Sequence, residues 1–167
     1  FNTVDLQAMT PASKMLTIVL MFIGGSTGST AGGIKTTTVA VIVLSLWAGL
    51  VNARGDQIFG RRLEDNALRR ASSVAAINVF LVLIATVLIC AANPFVQMGD
   101  ALFEVVSAMG TVGLGIGVTG VVNDFARVIL VLLMYCGRVG SLTFALLFTE
   151  RKAPSPVQKP TERIMIG

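Results

Sequence analysis

Long apolar stretches, separated by short polar or glycine-rich segments, run along most of the chain. Val74–Ala92 contains only two polar residues, Asn78 and Thr86. Its length suits the ~30 Å hydrocarbon core of a lipid bilayer. Phe125–Phe148 is longer still and is interrupted by two arginines. This pattern predicts α-helices that cross a membrane.

The first half of the chain predicts a membrane helix that glycines interrupt. Thr10–Ile23 has a helix-start signature and an apolar body, and the pattern breaks at Gly24-Gly25. Ile34–Leu50 then resumes an apolar helix. Asn52–Arg70 predicts a polar connection with a short amphipathic helix around Leu63–Arg70.

The second half predicts two crossings with a short helix between them. Val74–Ala92 ends at a turn marked by Asn93-Pro94. Asp100–Gly110 would be only ~15 Å long as a helix, which is too short to span. Because it leads into glycines, it predicts a re-entrant pore helix. Val122–Phe148 is the last predicted crossing, and Ala153–Pro160 is a proline-containing tail.

The composition agrees with a membrane protein. Hydrophobic residues make up 54% of the chain and charged residues 13%, and the mean hydropathy is +0.80. The chain starts at Phe1 rather than Met and shows no signal-peptide pattern. We therefore expect a piece of a longer polypeptide.

The net charge of +4 does not predict binding to nucleic acid, because of where the charges lie. No Lys or Arg occurs between Arg70 and Arg127, and the basic residues concentrate at 54–70 and after Glu150. Cytoplasmic loops of membrane proteins carry such basic clusters. We expect a multi-pass protein of the cell membrane, surrounded by the lipid bilayer, whose segment 51–72 and C-terminus are cytoplasmic.

The titratable residues argue against catalysis. The chain has no His, and Cys90 and Cys136 stand alone within apolar stretches. His is the usual proton shuttle and the commonest metal ligand, and an isolated apolar Cys packs as a small core residue. No Ser–His or Cys–His nucleophile can be assembled. The sequence predicts no enzyme, no catalytic residue and no transition-metal site.

Two glycine-rich segments, residues 24–33 and 110–120, hold ten of the seventeen glycines. Irregular backbone inside hydrocarbon is tolerated only where protein covers it or where it lines a water-filled cavity. Nucleotide-binding motifs do not account for them: Ile34 separates Gly33 from Lys35, and the GxGxxG pattern from Gly115 follows a helix. Glycine also allows successive carbonyls to face an ion. The two segments predict an ion pathway.

The segment after the short helix is the strongest candidate for a selectivity filter. Carbonyls of several such strands around an axis can replace the water shell of potassium, and the helix would point its negative end at the cation. Gly113 would supply the backbone angles that keep the carbonyls inward. A glycine-rich external turn is the alternative. The predicted ion-binding residues are Thr111, Val112, Gly113, Leu114 and Gly115.

An internal repeat extends this assignment to the start of the chain. Adding 113 to a position pairs Gly24 with Gly137 and the apolar residues before one with those before the other. The same offset places Phe1 and Asn2 on Leu114-Gly115, so they are predicted to be the tail of another filter strand. Repeated halves are common in transport proteins.

Five motifs in this order resemble the Trk/Ktr/HKT superfamily of potassium transporters, most closely the KtrB-type membrane subunit. They are Phe1–Asp5, Gly24–Thr38, Thr111–Leu114, Gly137–Gly140 and Ile164–Gly167. The resemblance covers essentially the whole chain. It implies an all-α integral membrane protein built from four repeats of membrane helix, pore helix and membrane helix around one pore, as in a potassium channel.

The resemblance also implies a division of the chain. Residues 1–50 would be the end of the third pore repeat and 51–72 a cytoplasmic connection. Residues 73–149 would be the complete fourth repeat and 150–167 a cytoplasmic tail. The sequence lacks the first two repeats and most of the third, so alone it would not close a pore.

Residues 24–33 are predicted to be an unwound segment inside a broken helix, and the resemblance implies that they form an intramembrane gating loop beneath the filter. Small side chains leave the backbone free to move. A static break covered by neighbouring helices is the alternative. The implied gate residues are Gly24, Gly25, Ser26, Thr27, Gly28, Ser29, Thr30, Ala31, Gly32 and Gly33.

Two basic residues complete the predicted gate. Arg138 lies ~21 Å along a helix from Asp124 and ~18 Å from Glu150, too deep to reach water easily, and the repeat pairs it with Gly25. We hypothesise that its guanidinium donates to loop carbonyls and hinders cations when the loop is closed. A purely structural Arg is the alternative. Lys35 ends the loop, and snorkelling to the cytoplasmic side accounts for it equally well.

The sequence thus predicts potassium uptake through a channel-like pore subunit. The resemblance implies a homodimer of membrane subunits on a cytoplasmic nucleotide-binding regulatory ring, with sodium as an activator in some members. Two other functions stay open. One is a non-conducting scaffold, which predicts glycines spaced in threes and fours along intact helices. The other is a carrier whose broken helices bind a solute at mid-membrane.

Overall fold

Helices dominate the structure, a computed structural model that describes residues 5–50, 57–58, 61–62 and 67–140. The all-α class predicted from the sequence is confirmed, with one short antiparallel strand pair added in the connection between two helices. The elements in chain order are α1 (Pro11–Ile23), α2 (Thr36–Leu50), β1 (Gln57–Ile58), β2 (Arg61–Arg62), α3 (Ala67–Ala92), α4 (Met98–Gly110), α5 (Val118–Val121) and α6 (Asp124–Val139).

One helix of the described chain is long and apolar enough to cross a membrane. It is Leu68–Ala92 of α3, with a mean hydropathy of 2.8, whereas α1 and Thr36–Ala48 of α2 are shorter apolar helices. Of the short amphipathic helix predicted around Leu63–Arg70, residues 63–66 lie outside the described residues, and residues 67–70 form the first turn of α3 instead of a separate helix. The sequence 71–73, Ala-Ser-Ser, contains no glycine or proline that could end a helix there.

Helices α1 and α6 begin at equivalent positions of the predicted repeat. Each starts one residue after a polar N-cap, and the two N-caps, Thr10 and Asn123, are 113 residues apart. Thr10 accepts a hydrogen bond from the Ser13 amide, and Asn123 accepts one from the Ala126 amide. Each cap satisfies an amide that the first helical turn leaves free. Local capping therefore sets the same starting register for both helices.

Helix α4 lies at the centre of the fold and packs against α1, α3 and α6. Its side chains are almost all buried from Ala101 to Gly110, including the large Phe103 and Met109. A short helix that is buried on nearly every side needs other helices around it in place of lipid or water. This enclosure fixes where the segment after α4 begins.

Polar contacts tie the helices together at the end of the bundle where α4 starts. The buried Asn93, just after α3, accepts a hydrogen bond from the Asn123 amide at 3.0 Å. Lys14 of α1 pairs with Asp100 in the first turn of α4 at 3.0 Å. These contacts hold α1, α3 and α6 around the same end of α4.

The closest helix crossing joins α4 to α6 and depends on a glycine. A Cβ added to Gly137 would overlap the Met109 carbonyl oxygen. Small residues let membrane helices approach until their backbones touch. Gly137 therefore sets the distance between α6 and the end of α4.

Replacing Gly137 with Ala is expected to destabilise the protein by about 3 kcal/mol or more, because the new methyl group meets backbone that cannot rotate away. Thermal unfolding of the purified full-length protein measures the effect. Gly99→Ala is the matched control, since Gly99 also lies in a helix and has open space where its Cβ would be. Equal unfolding midpoints for the two variants would show that Gly137 does not set the approach of α6 to α4.

Candidate functional site

The predicted filter segment leaves α4 through a defined helix cap. The Val112 amide donates to the Ser107 carbonyl and the Thr111 amide to the Ala108 carbonyl, the two bonds of a Schellman motif. Thr111 takes the left-handed conformation at this cap, with φ 52°. Gly113 follows with φ 82°. The chain thus turns sharply away from the axis of α4 where the predicted filter starts.

A buried carboxylate on α4 holds the far end of the same segment. Glu104 Oε1 accepts hydrogen bonds from the amides of Ile116 at 3.2 Å and Val118 at 3.1 Å. Its other oxygen accepts from the Thr119 hydroxyl at 3.1 Å. A Cβ on Gly115 would approach Glu104 Oε1 to 3.2 Å. The filter segment is therefore held at one end by its cap on α4 and at the other by hydrogen bonds to this carboxylate.

Glu104 is the residue of the site to which the sequence assigned no role. The sequence feature that could have identified it is an acidic residue in the middle of a helix, with apolar residues on both sides. Burying a carboxylate is costly unless hydrogen bonds satisfy it. The amides it serves lie twelve and fourteen residues away, so no local pattern identifies them.

The segment that precedes α1 also reaches the filter segment. Gln7 donates from Nε2 to the Ile116 carbonyl at 2.8 Å, and its own amide donates to Asp5 at 2.9 Å. Phe1 and Asn2, predicted as the tail of a second filter strand, lie outside the described residues. Gln7 thus contacts the backbone directly after the 111–115 segment.

Residues 24–33 form the irregular loop that the sequence predicts between α1 and α2. Its two ends lie side by side, since the Ile34 amide donates to the Phe22 carbonyl at 3.3 Å and the Thr36 amide to the Gly25 carbonyl at 3.2 Å. Gly24 has φ 65°, and a Cβ there would lie 2.5 Å from the Gly32 carbonyl oxygen. The point where the loop leaves α1 therefore lies next to the point where it enters α2.

Two basic side chains converge on three successive carbonyls of this loop. Lys35 donates to the carbonyls of Ser29 and Ala31. Arg138, which extends from the end of α6, donates to the carbonyl of Thr30 between them. The hydrogen bond from Arg138 to a loop carbonyl is the contact proposed from the sequence, and the structure contains it. Both cations hold the loop by its backbone.

The loop and the filter segment meet directly. The Gly32 amide donates to the Thr111 hydroxyl at 2.9 Å. A cavity of about 470 Å³ lies between the two segments and α1. Its lining includes Thr111, Val112 and Leu114 from one side and Gly24, Gly25 and Ala31 from the other. The two predicted parts of an ion pathway therefore border one space.

Other predicted site residues lie within the same loop. Thr27 bonds the Thr37 hydroxyl at 2.8 Å, and Ser29 donates from its amide and its hydroxyl to the Ser26 carbonyl. Gly28 has φ 86° and open space where a Cβ would be. These bonds are internal to the loop and its entry into α2. They stabilise the conformation of the loop from within.

The described ranges hold no cluster of three or more His, Cys, Asp or Glu side chains that could bind a metal ion. The lining of the cavity between the loop and the filter segment is largely apolar.

Comparison with known proteins supplies a family. The sequence model of a family described as "TrkH: Cation transport protein" matches residues 1–158. The chain is 34% identical over 172 residues to the potassium/sodium uptake protein NtpJ of Enterococcus hirae, covering 100% of this chain and 38% of that protein.

It is also similar to two proteins of Bacillus subtilis. Identity is 34% over 169 residues to the Ktr system potassium uptake protein B, covering 100% of this chain and 37% of that protein. It is 32% over 165 residues to the Ktr system potassium uptake protein D, covering 99% and 36%. The chain thus spans little more than a third of the length of the curated relatives it matches.

Replacing Glu104 with Ala should destabilise the protein by about 1–3 kcal/mol for each of the two backbone amides that loses its acceptor. Glu104→Gln retains an oxygen for those amides and should keep most of the stability. Thermal unfolding of the full-length protein distinguishes them. Thr119→Val, which removes only the hydroxyl bond, serves as control. An Ala variant as stable as the parent would show that the carboxylate does not support the segment.

Proposed function

The chain belongs to the TrkH family of cation transport proteins, and on this basis we propose that it forms part of the pore of a potassium uptake system. The family is one of membrane transporters, not of enzymes. In this proposal the 111–115 segment is a carbonyl selectivity filter, and the 24–33 loop is the gate beneath it. Phe1 and Asn2 contribute to a neighbouring filter strand.

The shared cavity carries the proposal. Filter residues and loop residues line the same space of about 470 Å³. A cation that leaves the filter on this side meets the loop before anything else. The two glycine-rich segments therefore act in series along one path. The 111–115 segment selects the ion, and the 24–33 loop admits it.

The surroundings of the filter suit a cation. Helix α4 directs its C-terminal end, which carries partial negative charge, toward Thr111. The Glu104 carboxylate lies directly behind Gly115. Both favour a positive ion at the filter carbonyls.

The gate is held closed from two sides. Arg138 and Lys35 bind the loop carbonyls of residues 29–31, so positive charge lies at the loop itself. That charge repels a permeating cation while the loop is in place. Movement of the loop breaks these hydrogen bonds and takes the loop backbone out of the path.

The glycine geometry favours a pore over a scaffold. A scaffold uses glycines along intact helices, and Gly137 is such a residue. Glycines with positive φ in the described chain instead lie outside the helices. They are Gly24, Gly28, Gly33, Gly113, Gly117 and Gly140. A carrier can be distinguished from a pore by experiment. A carrier predicts saturable, coupled transport, whereas a pore with a filter predicts ion selection at Gly113.

The relatives suggest the wider assembly. Their names refer to potassium or sodium uptake and to a Ktr system. We infer potassium as the ion at the filter and sodium as an activator. We also infer a homodimer of membrane subunits on a cytoplasmic nucleotide-binding ring, with segment 51–72 and the C-terminus facing the cytoplasm. Residues 1–50 then belong to the third pore repeat and 73–149 to the fourth.

Rubidium uptake into liposomes that contain the full-length protein tests the filter. Gly113→Asp should reduce uptake by about tenfold or more, since it strains a backbone with positive φ and introduces a carboxylate among the carbonyls. Gly99→Asp, in the first turn of α4, is the matched control with open space around it. Unchanged selective uptake in Gly113→Asp would reject the filter assignment.

Replacing Arg138 with Ala should raise rubidium uptake by about tenfold, because the closed loop loses a charged hydrogen bond and the pathway loses a positive charge. Arg127→Ala is the control, since Arg127 lies at the other end of α6 and bonds residues 119, 120 and 124. If Arg138→Ala left uptake and its regulation as in the parent, Arg138 would be only a structural residue.

A further inference from the structure

Thr111 breaks the usual rule for the end of a helix. The left-handed position of a Schellman motif is normally Gly, because a Cβ is strained there. Thr111 is the only non-glycine residue with positive φ in the described part of the chain. A β-branched residue in this conformation is a clear outlier. Such outliers persist where the surroundings hold them, and often where the side chain has a use.

The hydroxyl of Thr111 has a partner in the loop. It accepts the hydrogen bond of the Gly32 amide at 2.9 Å, across 79 residues of sequence. Gly32 is buried and closely enclosed: a Cβ there would lie 2.9 Å from Thr111 Oγ1 and 3.0 Å from the Gly137 carbonyl oxygen. The loop therefore docks on the first filter residue and on α6 at one point.

A displacement of the loop at Gly32 breaks this contact. Gly33, the next residue, packs against Gly110 with only 3.4 Å for an added Cβ. If the loop leaves its position, the Gly32 amide leaves the Thr111 hydroxyl. Thr111 then loses one of the contacts that hold it in a strained conformation. The backbone at the start of the filter changes its stability as a result.

We propose that the Thr111 hydroxyl couples the gate to the filter, so that loop closure and filter geometry form one equilibrium. This inference rests on the proposed filter and gate. A cation that binds the filter in this geometry favours the left-handed conformation of Thr111. It therefore also favours the docked position of the loop. By linkage, a docked loop raises the affinity of the filter for that cation to the same degree.

The test uses the full-length protein in liposomes, with a single reporter cysteine, Ala31→Cys, and all other cysteines replaced. Ala31 lines the cavity and is half-buried, so maleimide reaches it faster when the loop moves away. Labelling in potassium should be slower than in sodium. Thr111→Val should speed labelling in potassium by about fivefold, the worth of one hydrogen bond, and remove the ion dependence. Thr111→Ser retains the hydroxyl that accepts from the Gly32 amide and should keep the slow, ion-dependent labelling.

Two further variants control the experiment. Thr86→Val removes a buried hydroxyl from α3, where it bonds Val82, and should leave the labelling rate unchanged. Gly32→Ala disturbs the same contact from the loop side and should act like Thr111→Val, whether or not the valine variant folds. Ion-dependent labelling that survives in Thr111→Val or Gly32→Ala overturns the coupling. Absence of ion dependence in the parent does so as well.

Rubidium uptake in the same liposomes separates the two possible failures. If Gly113→Asp abolishes uptake while Thr111→Val keeps the ion-dependent labelling of the parent, the coupling is rejected and the filter stands. If Gly113→Asp leaves uptake unchanged, the proposed function itself is rejected.

Discussion

A backbone that leaves the helix inside hydrocarbon must find partners for its amides and carbonyls within the protein, because no water is there to serve them. Two irregular stretches of this chain, residues 24–35 and 111–117, find such partners. The charged side chains are distributed accordingly. Glu104, an acceptor, serves amides of one stretch, whereas Lys35 and Arg138, both donors, serve carbonyls of the other. These three charged side chains thus satisfy backbone groups that the helices leave free.

The second constraint is the close packing of backbone against backbone. Helix α4, the loop and α6 meet at a junction where Gly32 and Gly137 leave no room for side chains. At such a junction the elements cannot move independently, since densely packed backbone transmits displacement rather than absorbing it. A rigid pore helix and an irregular loop therefore share one boundary. Thr111 is the polar contact on that boundary.

The sequence predicts what local chemistry decides. The start of α1 at Thr10-Pro11, its end at Gly24 and the short α4 all follow from caps, breakers and length. The contact between Arg138 and the loop was reached through the internal repeat, which placed both at one depth. The roles of Glu104 and Thr111 could not be reached in this way. Their partners are distant in sequence, and only the packing of α4 brings them together. Residues outside the described ranges, among them Phe1 and Asn2, keep their assignments as predictions.

The paired helices α1 and α6 start alike and then part ways at a single equivalent position. Gly24 ends α1 with a positive φ, while Gly137 lies within α6, which continues through Arg138 to Val139. The consequence is an asymmetry within the pair. The break at Gly24 gives way to the irregular backbone of residues 24–33, whereas the helical Gly137 keeps the next residue, Arg138, on α6 and within reach of that backbone.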